Sequence, residues 1–198
     1  MKPTINHSRG AETRNTILAS ALDLFSQNGY EATSVAEICL HAQISKGAFY
    51  HHFATKQDLF LALMDTWIDF IADMFQSAGE VAESVPEALE QMASIAGGLL
   101  DSMESGIPIL LEFWTQASRH PVIWEKAVAP YRRFLKYFTD LIQSGMDQGQ
   151  FLATLNADQS ARTLISVAMG LLLQAIFDPK DAHWHEITNS SIKMLINS

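Results

Sequence analysis

Apolar residues recur at helical spacing along nearly the whole chain. Ile17, Leu18, Ala21, Leu22 and Phe25 stand at i, i+1, i+4, i+5 and i+8, which predicts one apolar helix face over residues 11–27. Asn28-Gly29 ends that helix, because glycine suits the left-handed position after a helix end. Ser34-Val35-Ala36-Glu37 has the form of a capping box, opening a short helix whose face is Val35, Ile38, Cys39 and Ala42. A turn at Ala42-Gln43-Ile44 follows, and Ser45 caps a third short helix through about His52. Thr55-Lys56-Gln57-Asp58 is a further capping signal, with Asp in place of Glu. It opens a long helix with Leu59, Leu63, Phe70 and Met74 on its apolar side and Asp65, Asp69 and Asp73 on another. Breaks rich in Gly, Pro, Asn and Asp divide the remainder into helices at 86–103, 108–118, 121–147, 158–177 and 183–197, with Pro130 expected to kink or split the third. No long alternating apolar/polar run appears, so the prediction is all-α with about nine helices.

The segment SKGAFYHHF, Ser45 to Phe53, stands out within this pattern. On a helical wheel at about 100° per residue, Phe49 and Phe53 share the core side. Gly47 and His51 then point away from it, with Lys46 and Tyr50 along one edge and Ala48 and His52 along the other. Gly47 removes a side chain where a backbone must approach something closely. The helix start offers unpaired amides that favour phosphate, and Lys46, Tyr50 and the histidines are donors around it. Two short helices joined by a tight turn form a helix-turn-helix, whose second helix enters the major groove of DNA.

Charge sharpens the picture. The net charge is −9, yet residues 1–60 hold five Lys/Arg against five Asp/Glu, and four of the seven histidines. The remaining eight basic and seventeen acidic side chains carry all the acidity in the later part. A globally acidic chain can bind nucleic acid through a locally neutral or positive face. The lone Cys39 lies on an apolar helix face and suits packing in a reducing compartment. No run of eighteen apolar residues suggests a membrane span, and the polar MKPTINHSRGAETR start lacks the apolar core of a secretory leader, so a cytoplasmic location is expected. No metal signature, nucleophile motif or phosphate loop suggests an enzyme, and no cofactor is predicted. His183-Trp184-His185-Glu186 reads as a helix start rather than a metal site, and His51-His52 diverge too far along a helix to share a metal.

The stretch from Thr13 to Leu63, with its LF..NG first-helix ending, capped second helix, SKGAFYHHF and the lysine of TKQDL, resembles the DNA-binding domain of the tetracycline-repressor (TetR) family of bacterial regulators. The resemblance implies a three-helix DNA-binding domain with its arm over residues 1–54, and a helical ligand-binding and dimerisation domain over 55–198. It implies DNA contact from Ser34, Ser45, Lys46, Gly47, Ala48, Tyr50, His51, His52 and Lys56. Lys46 and Gly47 would approach base edges, and Ser34, Tyr50, His51 and Lys56 would hold the backbone. Ala36 departs from the family pattern, which often has a basic residue there; Arg9 and Arg14 are the candidates to compensate.

The resemblance also implies an effector cavity for a small apolar or amphipathic molecule. Its candidate lining is Trp67, Met103, Glu112, Phe113, Trp114, Phe134 and Met169, with Glu112 favouring a cation if it faces the cavity and otherwise exposed or salt-bridged. A homodimer is expected through the two C-terminal helices. Ala161, Ile165, Ala168, Leu172 and Ala175, with Ile187, Ile192 and Leu195, form either that surface or an intramolecular face. The function expected is a ligand-responsive regulator, a repressor released from a palindromic operator. The alternative is a helical ligand-binding or interaction protein that needs a corepressor or has lost DNA binding.

Overall fold

The computed structural model describes residues 6–102, 106–177 and 183–196. Ten helical segments follow one another among them: α1 (Asn6–Asn28), α2 (Val35–His41), α3 (Lys46–His52), α4 (Lys56–Val81), α5 (Val85–Ser102), α6 (Gly106–Ala117), α7 (Pro121–Ala127), α8 (Ala129–Asp147), α9 (Ala157–Phe177) and α10 (Trp184–Ile196). None of the described helices is long and apolar enough to cross a membrane. The long helix expected over 121–147 is two segments meeting at Val128, and Pro130 lies buried in the first turn of α8, where its missing N–H costs nothing.

The chain divides into two compact units, neither continuous in sequence. One comprises Met1–Trp67 and Pro108–Ala127, the other Ile68–Ile107 and Val128–Ser198. In this division α6 and α7 join the first three helices and the start of α4.

In the first unit, Ile17, Leu18, Ala21 and Phe25 of α1 are buried against Ile38, Cys39, Phe49, Phe53, Leu59 and Phe60. Leu22, expected on the same face, is 52% exposed, because the stripe centres on the i, i+4, i+8 row of Ile17, Ala21 and Phe25. An aromatic cluster ties the elements together. Phe60 of α4 stacks on Phe113 of α6 with centroids 4.2 Å apart, and Tyr30 meets both rings edge-on at 5.0 and 5.6 Å. Trp114, Ile123 and Ala127 pack on the same core. Tyr30 is 2% exposed and its hydroxyl has no hydrogen-bond partner among the described residues. Burial, then the charges of Glu31 and Glu112, push its phenol above its ordinary value, so it stays protonated at neutral pH.

In the second unit, Phe75 and Ala78 of α4, Ala88, Leu89 and Met92 of α5, Phe138 and Ile142 of α8, Leu171 and Ala175 of α9, and Trp184 and Ile192 of α10 are buried. Phe70, expected on the apolar side of α4, is 55% exposed, because the buried row here is Ile71, Phe75 and Ala78. Part of the α9 and α10 face weighed for dimerisation is buried inside the unit. Ala161, Ala175 and Ile192 are buried, and Leu172 and Ile187 pack on the Leu171–Ala175–Trp184 cluster. Only Ala168 of that α9 row is exposed, while Met169, Leu173 and Phe177 project from another side at 42, 40 and 84% exposure. α5 approaches α10 closely at Gly97, where a Cβ would lie 2.6 Å from the His185 Cα.

Three stability outcomes follow from this packing. Gly97→Ala forces α5 away from backbone and should cost about 1–3 kcal/mol in a denaturation series. Gly98→Ala, where a Cβ meets nothing within 4 Å, should gain about 0.5–1 kcal/mol. Tyr30→Phe removes a buried hydroxyl that bonds to nothing and should be neutral or stabilising by about 1 kcal/mol, whereas a clear loss would show that the hydroxyl has a partner.

Candidate nucleic-acid interface

The interface is built from two capped helices. The Ser34 hydroxyl accepts the Glu37 amide at 3.2 Å and the Glu37 carboxylate accepts the Ser34 amide at 2.7 Å, so the predicted capping box is complete. Those Ser34 bonds hold the Glu37 carboxyl below its ordinary value. The turn after α2 passes through Gln43 at φ +53°, and the Ile44 amide reaches back to the Cys39 carbonyl at 3.0 Å. Cys39 itself is buried, and burial pushes its thiol up. Ser45 then caps α3, accepting the Ala48 amide at 3.1 Å.

α3 presents the face that the wheel predicts. Phe49 and Phe53 are buried at 0 and 4% exposure. Lys46, Gly47, Tyr50 and His51 are exposed, with Ala48 and His52 partly so. A Cβ on Gly47 would touch only the Ser45 hydroxyl, at 3.7 Å, so the protein does not require glycine there for packing. Tyr50 is braced edge-on against Phe49 at 5.3 Å and the His51 and His52 rings meet at 5.1 Å, which limits their rotamers. Arg14 stands over the Phe53 ring at 5.2 Å. Ala36 is exposed on α2, and the side chain of Arg9 lies outside the described residues. Ser34, Ser45, Lys46, Gly47, Ala48, Tyr50, His51 and His52 thus all belong to α2, α3 and their caps.

Lys56 is placed differently from a free phosphate contact. Its ammonium donates to the carbonyls of Tyr30, Glu31 and Thr33 at 2.9, 3.3 and 2.9 Å and lies 4.4 Å from the Tyr30 ring centre. An ammonium has three protons, so a phosphate bond from Lys56 requires one of these to give way. The amides of the same loop have a different partner. Tyr30 and Glu31 donate to the two carboxylate oxygens of Glu112 at 3.0 and 2.6 Å. Gly29, at φ +84°, turns the chain so that both amides converge, and a Cβ there would sit 3.3 Å from that carboxylate. Thr33 closes the loop from within, its hydroxyl donating to the Gly29 carbonyl at 2.8 Å.

The residues weighed for an effector cavity are distributed between the units. Glu112, Phe113 and Trp114 are in the first, Phe113 within its aromatic core, and Trp67 is at that unit's edge on α4. Phe134, at 6.0 Å from Phe75, and the exposed Met169 are in the second. Met103 lies outside the described residues. The second unit also has an open groove of about 630 Å³ along α4 and α5, with Phe70, Met74, Val81 and Ile95 among its lining and Asp73, Ser77, Gln91 and Ser94 as polar groups. Exposed apolar Phe70 was the signal for it that the helix pattern misassigned to the core. Among the described residues, no three His, Cys, Asp or Glu side chains are grouped as a metal site.

Known proteins match this arrangement in two parts. Residues 17–63 match the family described as bacterial regulatory proteins, tetR family, and residues 105–195 match the BetI-type transcriptional repressor C-terminal family. The transcriptional regulator CymR of Pseudomonas putida is 23% identical over 188 residues, covering 94% of this chain and 90% of its own. UidR of Escherichia coli K12 is 22% identical over 160 residues, covering 81% and 80%. The crystal structure of the regulator FadR from Bacillus subtilis, in complex with stearoyl-CoA, superposes with a TM-score of 0.76 at 19% identity over 92% of this chain and 97% of that one. The chain is thus a DNA-binding transcriptional regulator. It belongs to the TetR family of bacterial regulatory proteins.

Proposed function

We propose that this regulator acts in the cytoplasm as a homodimeric repressor on a palindromic operator and is released by a small apolar or amphipathic effector. The observation that carries the DNA contact is the exposed face of α3: Lys46, Gly47, Tyr50 and His51 above a fully buried Phe49. Lys46 and the bare backbone at Gly47 read base edges. Ser34, Ser45, Ala48, Tyr50, His51 and His52 lie along the phosphates and fix the register. Lys56 joins them only by exchanging a loop carbonyl for a phosphate oxygen. A two-fold site needs two such helices about one or more DNA turns apart. The dimer forms through α9 and α10, and what supports this is the projecting row of Met169, Leu173 and Phe177, an apolar surface that a monomer would leave in water.

The groove along α4 and α5 is the proposed effector site. Its apolar lining suits a hydrocarbon chain and its few polar groups an attached head, and the FadR relative was solved with the long-chain thioester stearoyl-CoA. Release follows only if the effector binds the DNA-incompetent state more tightly than the competent one.

The test is selection of duplexes from the source genome, scored by fluorescence anisotropy at two salt concentrations, with wild type beside a Lys46→Ala/Tyr50→Phe double variant. The expected result is tight, salt-dependent binding to a palindrome, weakened at least about tenfold in the variant. Failure of wild type to select any duplex would overturn the release reading and favour a corepressor-dependent or non-DNA role.

A further inference from the structure

We propose that Glu112, on α6 and far outside the helix-turn-helix sequence, is a positioning residue for operator recognition, acting by holding the loop that aims α2 and α3. This rests on the DNA-binding reading above. The loop from Gly29 to Thr33 leads straight into the Ser34 cap of α2, and α2 is joined to α3 by the four residues Ala42 to Ser45. Whatever fixes the loop therefore fixes where the exposed face of α3 points. Two side chains do so: the Lys56 ammonium on three carbonyls and the Glu112 carboxylate on two amides.

The two clamps are not equivalent. Lys56 opens α4, which directly follows α3, so any motion of the DNA-binding helices carries it along. Glu112 comes from α6, and its neighbour Phe113 is locked by stacking on Phe60 at 4.2 Å. Its backbone is anchored in the aromatic core, while its carboxylate reaches the loop at the rim. It is the one of the two clamps that comes from outside the contiguous α1–α4 sequence. The carboxylate is matched to its place: it offers two acceptors for two donors. Neutral glutamine would offer one acceptor, with its NH₂ facing the second amide donor to donor.

The experiment compares Glu112→Gln with Ile192→Val, a core change in the other unit that serves as a control for lost stability. Thermal midpoints are measured for each. Dissociation constants are then measured well below those midpoints, on the selected operator and on an unrelated duplex of the same length. Glu112→Gln should weaken operator binding about tenfold or more, while the unrelated duplex, held by phosphate contacts, changes less than about threefold. Ile192→Val should lose stability and keep operator affinity. The inference is overturned if Glu112→Gln binds the operator as wild type does, which leaves the DNA-binding reading intact. It is overturned equally if Ile192→Val weakens operator binding as much, since then any destabilisation suffices. Wild type without a specific duplex would overturn both readings together.

Discussion

The link between α1 and α2 is too short to form structure of its own and too close to the core to be left to water. Its backbone polar groups must be satisfied by side chains brought from elsewhere. The carbonyls of Tyr30, Glu31 and Thr33 are met by a cation and the amides of Tyr30 and Glu31 by an anion, with the Tyr30 ring buried between α1, α4 and α6. Charge-assisted bonds of this kind contribute about 1.5–3 kcal/mol each when partly shielded. Since α2 and α3 hang from this loop, the placement of the recognition face depends on it. The folding unit that results is larger than a three-helix motif: it needs α6 to complete both the aromatic core and the loop.

What was legible in the sequence was what local rules encode. The Ser34–Glu37 box, the Ser45 cap and the Thr55–Asp58 cap join residues three apart, and each forms as the spacing demands. The core and exposed sides of α3 followed from a period of 3.6 over a helix only seven residues long. Pro130 announced the break between α7 and α8 without fixing that it would fall at Val128. The all-α class and the family followed from the same features.

The rest depended on partners that a helical wheel does not contain. Leu22 and Phe70 are hydrophobic and correctly spaced, yet the buried rows run one position away from them, through Ala21 and Ile71. The Ala161 to Ala175 row is apolar enough for either a dimer or a core, and the burial of Ala161 and Ala175 within the unit depends on helices that a wheel does not contain. Glu112 was visible as a carboxylate inside an apolar run, but its partners are backbone amides 81 and 82 residues earlier, which no side-chain pattern marks. Lys56 was visible as a conspicuous cation near the motif, and its three carbonyl partners are equally anonymous in sequence. Their observed bonds are to the chain's own backbone.

The chain's acidity is consistent with this division of labour. The excess negative charge lies after residue 60, while the residues that form α1 to α3 are balanced and expose Lys46 and two histidines. Affinity for DNA must then come from the shape and placement of a small face rather than from a broad positive field, which makes the rigidity of the loop before α2 decisive. The most direct measurement is native-state hydrogen exchange of the Tyr30 and Glu31 amides in the free protein. Amides held by Glu112 exchange as slowly as those of the buried row of α1, through the same opening of the unit. Exchange at the rate of an open loop, while α1 stays protected, would contradict the account.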